Sequence, residues 1–221
     1  MKEENNIKIR KAEFSDIDFI AEAIIESEKS GTSVFSYSEI YEMSEDDFKD
    51  ILLKMIVEDI EGQEIGISGF LIAEYENEKA GCCCSWIEGE TGMTAAMIKS
   101  NLMLAFIPEE NIIKAASKSS LIREIFVERT KNAIQIEAVY TVSKFRGKGI
   151  ASLLIDEHIK RQKNKRNDLT IAELIVAGNN SKAINLYEKK GFDTAVYKKC
   201  NNMEILNYLP SDTIILMRKK I

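Results

Sequence analysis

The sequence predicts a single mixed α/β domain that extends over residues 1–221. Segments rich in β-branched residues alternate with amphipathic segments at helical spacing, and no repeat or linker-like stretch divides the chain. In addition, 45% of the 221 residues are hydrophobic, which is enough to bury a core. Seven segments are predicted as strands: residues 6–12, 66–75, 80–88, 134–142, 169–177, 193–199 and 213–219.

The N-terminal part is predicted to contain one strand and two helices. Residues 6–12 alternate apolar and polar side chains, which is typical of a strand. Residues 14–28 are amphipathic at helical spacing, with Ser15 as the expected N-cap. Residues 44–60 form the next predicted helix, because Ser44 and the acidic residues after it suit a helix N-terminus.

A hairpin is predicted next, from residues 66–75 and 80–88, which a short polar stretch joins. Its second strand contains Cys82, Cys83 and Cys84. Neighbouring side chains on a strand point to opposite faces, so three consecutive thiols cannot meet at one tetrahedral metal ion. We therefore expect buried free thiols and no metal site.

Residues 91–130 are predicted to form a helical insertion before the fourth strand, broken at Pro108 and around Ser117. After the fourth strand, the pattern predicts a helix over residues 149–163. A further helix over residues 180–190, which follows the fifth strand, is expected to stop at a glycine.

The charges are divided unevenly along the chain. Residues 1–90 contain 23 acidic and 8 basic residues, whereas residues 91–221 contain 13 and 22, for a net charge of −6 overall. Such a division indicates either that one part meets an anion and the other a cation, or that the helices have solvated faces. The pI of about 5.1 is unlike that of a nucleic-acid-binding protein, so we expect no nucleic-acid partner.

The N-terminal residues are charged, and no apolar stretch follows them. Moreover, no window approaches the roughly 20 apolar residues that cross a bilayer. We therefore expect no signal peptide, no membrane partner and a cytoplasmic location.

Residues 139–152 contain the most specific pattern in the chain. Gly147 and Gly149, beside Arg146 and Lys148, lie between a predicted strand and an amphipathic helix. Glycines let the backbone approach a ligand closely, and the unpaired N–H groups of a helix start attract anions. The pattern therefore predicts a phosphate or pyrophosphate site.

Two common phosphate-binding loops do not fit this stretch. A Walker loop needs a glycine five residues before a Gly-Lys pair and a serine or threonine directly after that pair. With Gly147 and Lys148 as the pair, Val142 stands in place of the first glycine and Gly149 in place of the serine or threonine. A dinucleotide fingerprint needs a glycine where Ser152 stands, and an acidic residue at the end of a strand, whereas Asp168 precedes its strand.

A third pattern fits. RGKGIA at 146–151 resembles the R/Q-x-x-G-x-G/A signature of the GNAT superfamily of acyl-CoA-dependent N-acetyltransferases. NSKAINLYEKKGF at 180–192 resembles the family's segment from an asparagine to Tyr-x-x-x-Gly-Phe, and IRKAEFSDID at 9–18 resembles its first strand and helix. The order of elements agrees as well, except that residues 91–130 match no part of the general pattern. The resemblance implies the GNAT fold, a mixed, mostly antiparallel twisted sheet of about seven strands flanked by helices.

The resemblance also implies acetyl-CoA as co-substrate, with no metal. The loop that would bind its pyrophosphate consists of Arg146, Gly147, Lys148, Gly149, Ile150 and Ala151. The strand residues that would splay from their neighbour and bind the pantetheine arm through the main chain are Val139, Tyr140 and Thr141. Asn180 matches the asparagine that contacts the cofactor after the fifth strand.

Two residues are catalytic candidates by the same resemblance. Tyr187 matches the tyrosine whose hydroxyl faces the thioester sulfur, and an ordinary core aromatic is the alternative. Glu137, on the strand before the loop, is the first candidate for the base, and Glu173 on the next strand is the second. A solvent-facing or sheet-end glutamate is the alternative for Glu137. His158 is expected to pack at a helix edge without a catalytic role.

The implied activity is direct transfer of an acetyl group to a primary amine of a small molecule or peptide. The alternatives are a non-catalytic acyl-CoA-binding sensor or scaffold of the same fold, and an unrelated nucleotide-binding protein. The basic part would meet the cofactor and the acidic part a cationic acceptor, and a homodimer is a further expectation. Four apolar side chains are candidates for either the core or the wall of an acceptor pocket: Trp86, Met93, Met97 and Met103.

Overall fold

A computed structural model describes residues 6–221 as one seven-stranded sheet with helices on both faces. The strands are β1 (Ile7–Lys11), β2 (Phe70–Tyr75), β3 (Glu78–Ile87), β4 (Ile134–Thr141), β5 (Ile171–Ala177), β6 (Asp193–Lys199) and β7 (Thr213–Lys220). The helices are α1 (Ile17–Lys29), α2 (Ser36–Tyr41), α3 (Glu45–Glu58), α4 (Ala95–Phe106), α5 (Glu109–Arg123), α6 (Ile150–Lys165) and α7 (Ser181–Lys189). None of these helices is long and apolar enough to span a bilayer.

The sheet order is β1-β2-β3-β4-β5-β7-β6. Neighbouring strands are antiparallel, except for β4 and β5, which are parallel. This confirms the mixed, mostly antiparallel sheet of seven strands that the sequence predicts. The single parallel pair at the centre matters for function, because the carboxyl ends of two parallel neighbours meet at one edge of the sheet.

The two faces of the sheet bury separate cores. Residues of α1, α3 and α4 pack on one face, and residues of α6 and α7 pack on the other. The three consecutive cysteines of β3 follow the strand alternation: Cys82 and Cys84 belong to the first core, and Cys83 belongs to the second. All three are buried free thiols, as expected.

The start of α1 differs from the prediction. Ser15 is not the N-cap, because a 3-10 turn precedes α1 and Asp16 stands at the cap position. Asp16 and Glu13 form a capping box across this turn. Arg10 pairs with the buried Asp16 carboxylate at 2.6 Å and holds it there, which a local sequence pattern does not reveal. Ser44, in contrast, caps α3 as predicted.

The insertion contains α4 and α5, with Pro108 between them as expected. The predicted break around Ser117 is wrong, because α5 runs through it without interruption. The Ser117 hydroxyl donates a hydrogen bond to the Lys114 carbonyl at 2.6 Å, so this polar side chain is satisfied within the helix. Helix α2 was not predicted, since six residues are too few to show a periodic pattern.

Candidate active site

A gap between β4 and β5 is the central feature of the site. The two strands pair only where Ile134–Ile136 lie beside residues 172–174. Beyond this point β5 remains paired with β7, whereas residues 137–141 of β4 remain paired with β3 alone. The strands therefore splay apart toward their carboxyl ends, and the β5-facing backbone groups of β4 have no strand partner in the described chain.

A bulge in β4 lies at the start of this gap. Between Glu137 and Tyr140, two residues of β4 lie opposite the single residue Cys83 of β3. Ala138, in the bulge, has a φ of 49°. This left-handed conformation costs a residue with a Cβ about 1–2 kcal/mol. The bulge redirects the end of β4, which contains Val139, Tyr140 and Thr141.

The loop after β4 ends in an open helix N-terminus. Gly147 and Gly149 have φ values of 82° and 80°, and a Cβ at either position would meet nothing within 4 Å. The left-handed backbone therefore favours glycine here, and the space around the loop is open. α6 begins at Ile150 without a side-chain cap from the described residues, so its first N–H groups lack partners. With Ala151 in the same first turn, this end of α6 fits a pyrophosphate.

Two exposed cations flank these N–H groups. Lys148 Nζ lies 3.3 Å from the Tyr75 hydroxyl and 4.4 Å from the centre of its ring. Arg146 Nε lies 3.4 Å from the Thr141 carbonyl oxygen. Neither cation is held by a carboxylate of the described chain, so both can turn toward an anion at the loop.

The loop after β5 opens at the same edge of the sheet. Asn180 caps α7, because its Oδ1 accepts a hydrogen bond from the Ala183 N–H at 3.2 Å. The Nδ2 group of Asn180 remains a donor beside the gap. The structure thus gives this residue a capping role and leaves its amide group free for a ligand.

Tyr187 of α7 is buried in the core on the face of the sheet that α6 and α7 cover. Its ring packs against Phe192 with ring centres 6.3 Å apart. Burial raises the pKa of its hydroxyl well above the usual value, and the nearby Cys83 and Glu137 act in the same direction. The hydroxyl therefore keeps its proton at neutral pH and can donate it.

A group of ionisable side chains lies on the other face, where α1–α4 pack; we call it the mixed-charge cluster. Its members come from six separate segments of the chain: Glu28, Tyr37, Glu64, Lys99, Arg129 and Glu137. All six are partly exposed. Glu137 is the first residue of β4 beyond its pairing with β5, so the cluster borders the gap.

Two ion pairs organise the mixed-charge cluster: Lys99 with Glu64, and Arg129 with Glu137. Burial opposes ionisation of Glu64, but Lys99 outweighs it, so the pKa of Glu64 lies below its usual range. The pKa of Glu137 lies above its usual range, because burial is only partly offset by Arg129. Burial also raises the pKa of Glu28 to about 7, and no described residue forms a hydrogen bond or ion pair with its carboxylate.

Comparison with known proteins agrees with this geometry. The profile of the Acetyltransferase (GNAT) family matches residues 37–192. The chain belongs to the GNAT acetyltransferase family. It is therefore an acyltransferase, as the sequence predicts. No curated protein gives a significant match to the sequence.

Several solved structures share the fold of this GNAT acetyltransferase. An N-acetyltransferase from Staphylococcus aureus Mu50 is 21% identical with a TM-score of 0.64, covering 96% of this chain and 99% of that one. An agmatine N-acetyltransferase mutant is 8% identical with a TM-score of 0.57, and the match covers 98% of this chain and 100% of that one. The NatC complex bound to Gag peptide and CoA contains a chain that is 14% identical with a TM-score of 0.52, and the match covers 98% of this chain and 99% of that one. At these identities the likeness shows the fold alone.

Glu173, the second candidate for the base, is fully buried in this GNAT acetyltransferase. Its carboxylate accepts hydrogen bonds from the Thr130 N–H and hydroxyl, from Gln135 Nε2 and from Arg218 Nε, at 2.7–3.0 Å. These donors outweigh the effect of burial and hold the pKa of Glu173 below its usual range. The carboxylate therefore has a structural role and is not available to an acceptor amine.

His158 is also structural, but it is buried beneath β3 and does not lie at a helix edge. Its Nδ1 lies 2.7 Å from the Ser85 hydroxyl, and its Nε2 lies 2.8 Å from the Cys83 carbonyl oxygen. Burial lowers the pKa of His158 to about 4. The imidazole is thus neutral at physiological pH.

The four apolar candidates for an acceptor pocket divide into two groups. Trp86 and Met103 are buried in the core beside α1–α4, whereas Met93 and Met97 are exposed. The Trp86 ring also packs against the Arg129 guanidinium, whose carbon lies 4.9 Å from the ring centre. Trp86 thus orients one cation of the mixed-charge cluster.

The sequence did not reveal most of the mixed-charge cluster. Glu137 was a candidate, but Glu28, Glu64, Lys99 and Arg129 were not. They come from the end of α1, the loop after α3, α4 and the loop before β4, so no spacing along the chain brings them together. Lys99 interrupts the largely apolar run from Thr91 to Pro108, and that interruption was the one available signal.

Proposed function

We propose that this GNAT acetyltransferase transfers an acetyl group from acetyl-CoA directly to a primary amine of a small molecule or peptide. The observation that supports this best is the gap between β4 and β5. Glu137 of the mixed-charge cluster is the first β4 residue beyond the pairing, and β4 leads into the loop before the open N-terminus of α6. The buried Tyr187 lies close enough to Glu137 for that residue to act on its hydroxyl. Acetyl-CoA would supply an acetyl group activated as a thioester.

Three groups of contacts would bind the cofactor. The N–H groups of Gly147 to Ala151, with Arg146 and Lys148, would take the pyrophosphate. The β5-facing backbone groups of β4 from Val139 to Thr141 would hydrogen-bond the pantetheine arm in the gap. Asn180 Nδ2 would donate a hydrogen bond from the opposite side.

The chemistry requires a base and an acid. An alkylamine of pKa about 10.4 costs about 4.6 kcal/mol to deprotonate at pH 7. Glu137 would accept this proton, directly or through a water, while Arg129 holds its carboxylate in place. As the N–C bond forms and the C–S bond breaks, the Tyr187 hydroxyl would donate its proton to the departing sulfur. The second proton that the nitrogen loses on becoming an amide would restore the Tyr187 hydroxyl, while the first remains on Glu137 until it passes to solvent.

The acceptor must be identified from the residues of this chain. The solved structures of the same fold include an enzyme named for agmatine and a complex with a peptide, so the fold is compatible with acceptors of different size.

A cytoplasmic location and a homodimer stay predictions, which cell fractionation and light scattering would test.

A calorimetric titration with acetyl-CoA tests the cofactor site. We expect micromolar binding to the wild type and at least tenfold weaker binding to Gly149→Val, whose side chain would strain the loop and cover the N–H groups. Gly92→Val is the matched control, because Gly92 has a similar φ of 89° and equally open surroundings, far along the chain from α6.

Thiol release with a panel of amines then tests the transfer. Acetyl-CoA binding without thiol release for any amine would favour the sensor or scaffold alternative. No binding at millimolar acetyl-CoA, or competition by ATP or NAD instead, would contradict the proposal.

The proton acceptor has a separate test. Glu137→Gln should lower the rate most at low pH, where little acceptor is deprotonated without help. Exposed Glu204 on the same chain provides the control Glu204→Gln. A rate that Glu137→Gln leaves unchanged at every pH would remove Glu137 as the base.

A further inference from the structure

The helical insertion over residues 91–130 leaves the sheet and rejoins it at one point. β3 ends just before the insertion and β4 begins just after it, and the two strands are paired. Beside this pair, the Glu88 N–H donates to the Ala133 carbonyl oxygen at 3.1 Å. The Asn132 N–H donates to the Glu88 carbonyl oxygen at 2.9 Å. The two ends of the insertion are therefore held next to each other.

The carboxylate of Glu88 connects this point to the insertion and to the sheet. It is buried and accepts a hydrogen bond on each oxygen. Oε1 accepts from the N–H of Ala95, the first residue of α4, at 3.1 Å, and Oε2 accepts from Trp86 Nε1 at 2.9 Å. The start of α4 and the indole of Trp86 are thus fixed relative to each other.

Arg129, at the other end of the insertion, is held by three contacts. Its guanidinium lies over the Trp86 ring, with Cζ 4.9 Å from the ring centre. Nη1 donates to Gln135 Oε1 at 2.9 Å, and Nη2 donates to Glu137 Oε1. Gln135 and Glu137 share one face of β4 by strand alternation, and Trp86 lies opposite Gln135 on β3. Only arginine combines a flat surface for stacking with a fork that donates to two acceptors.

These contacts leave one oxygen of Glu137 accessible. Gln135 is fully buried, and its Nε2 donates to the Glu173 carboxylate at 2.9 Å, so that its Oε1 faces Arg129. Oε2 of Glu137 accepts no hydrogen bond from the described residues, and the side chain is 24% exposed. A carboxylate with one oxygen held and the other accessible suits a general base.

We propose that the insertion over residues 91–130 positions the base of the reaction. Its Arg129 fixes Oε1 of Glu137, so that Oε2 faces the acceptor amine. Trp86 and Gln135 hold Arg129 in place, and all three are positioning residues because they act through Glu137. The inference rests on the proposed transfer, in which Glu137 receives the proton of the amine.

Conservative replacement of Arg129 tests this geometry. Arg129→Lys keeps the positive charge, but an ammonium group cannot lie flat on the indole and also donate to Gln135 and Glu137. We expect kcat to fall by about tenfold or more with an unchanged KM for acetyl-CoA, since a small misplacement of a reacting group is costly. Arg161→Lys is the matched control and should keep the wild-type kcat, because Arg161 pairs with Glu157 on α6 at 2.7 Å.

The pH profile separates positioning from a loss of stability. Burial raises the pKa of Glu137, Arg129 lowers it, Glu64 raises it and Lys99 lowers it. Three further groups interact with the charge of Glu137: Glu28, Cys83 and Tyr187. Arg129→Met removes the strongest influence that favours ionised Glu137, so the acidic limb of the kcat profile should move to higher pH. A variant that is only less stable would lose activity without moving this limb.

Carbon NMR of the Glu137 carboxyl tests the same contact without turnover. Glu137→Gln identifies the signal in protein labelled at the glutamate Cδ. The midpoint of its titration should be higher in Arg129→Met than in the wild type. Equal midpoints would overturn the inference whether or not any amine is acetylated.

Trp86 provides a second pair of variants. Trp86→Leu removes the aromatic face under Arg129, whereas Trp86→Phe keeps a face and loses only the bond from Nε1 to Glu88. We expect kcat to fall in both, and to fall further in Trp86→Leu. A wild-type kcat in Trp86→Leu would contradict positioning through Arg129.

The inference and the proposed transfer fail in different ways. If Glu137→Gln lowers the rate while Arg129→Lys is as active as Arg161→Lys, the transfer stands and the inference is overturned. If Glu137→Gln leaves the rate unchanged at every pH, the proposed base is contradicted and the inference fails with it.

Discussion

Replacing Glu173 by glutamine should destabilise the protein by about 3 kcal/mol without changing how the rate depends on pH. The carboxylate is fully buried and receives four hydrogen bonds, two on each oxygen. A glutamine amide can keep its oxygen toward Arg218 and the Thr130 hydroxyl. Its NH₂ group then faces two donors, the Thr130 N–H and Gln135 Nε2.

The magnitude follows from those contacts. A buried donor left without an acceptor costs about 1–3 kcal/mol, and Gln135 cannot turn its amide without losing the bond that Arg129 Nη1 donates to it at 2.9 Å. Loss of the charge opposite Arg218 adds about 1 kcal/mol, kept small because Arg218 is partly exposed and can be hydrated. The total of about 3 kcal/mol is at the lower end for a broken buried ion pair.

Urea denaturation of the wild type, Glu173→Gln and the control Glu204→Gln measures this effect. The pKa of Glu173 is lowered by folding, so its contribution is present above the unfolded value of 4.5 and is lost as the pH falls below it. The difference between wild type and Glu173→Gln should therefore be smaller at pH 4 than at pH 7. A Glu173→Gln variant as stable as Glu204→Gln, or one whose rate loses its dependence on pH, would refute the structural role.

Three further predictions concern single side chains. Ala138→Gly should raise the free energy of unfolding by up to about 1 kcal/mol, because glycine adopts the φ of 49° without strain; a loss of stability in urea would contradict this. His158 has a pKa of about 4 in the folded state and 6.5 when unfolded, so the unfolded state binds the extra proton as the pH falls. The stability advantage of the wild type over His158→Gln should therefore shrink by about 3 kcal/mol between pH 7 and pH 4, and a constant difference would show that the imidazole is not held neutral. Tyr187→Phe should lower kcat by roughly a hundredfold with unchanged acetyl-CoA affinity, and full turnover would remove it as the acid.

The fold was largely predictable because its signals are local. All seven strands and the long helices appear as periodic apolar patterns or β-branched runs, and glycines mark the loop before α6. Sequence reasoning was wrong where a distant partner decided the outcome: Arg10 fixes Asp16 and so moves the start of α1 away from Ser15. It was also wrong at Ser117, whose hydroxyl bonds within the helix and does not interrupt it.

The candidate site also has one part that the sequence predicted from a local pattern and one part that it did not. The cofactor loop is one continuous stretch with a specific pattern, and its glycines have the left-handed backbone that the pattern implies. The mixed-charge cluster is formed by single residues from six segments, and which carboxylate lacks a cation depends on side-chain geometry that no spacing encodes. For the same reason, the sequence could not separate the buried Glu173 from the more accessible Glu137.

The measurement that tests the central claim most directly is the backbone amide spectrum of the protein with and without acetyl-CoA. The account predicts that the amide signals of residues 147–152 and of Val139 to Thr141 shift on binding, while those of β6 and α5 remain in place. Saturable binding that shifts signals elsewhere and leaves residues 147–152 unperturbed would contradict the assignment of the cofactor to the gap between β4 and β5.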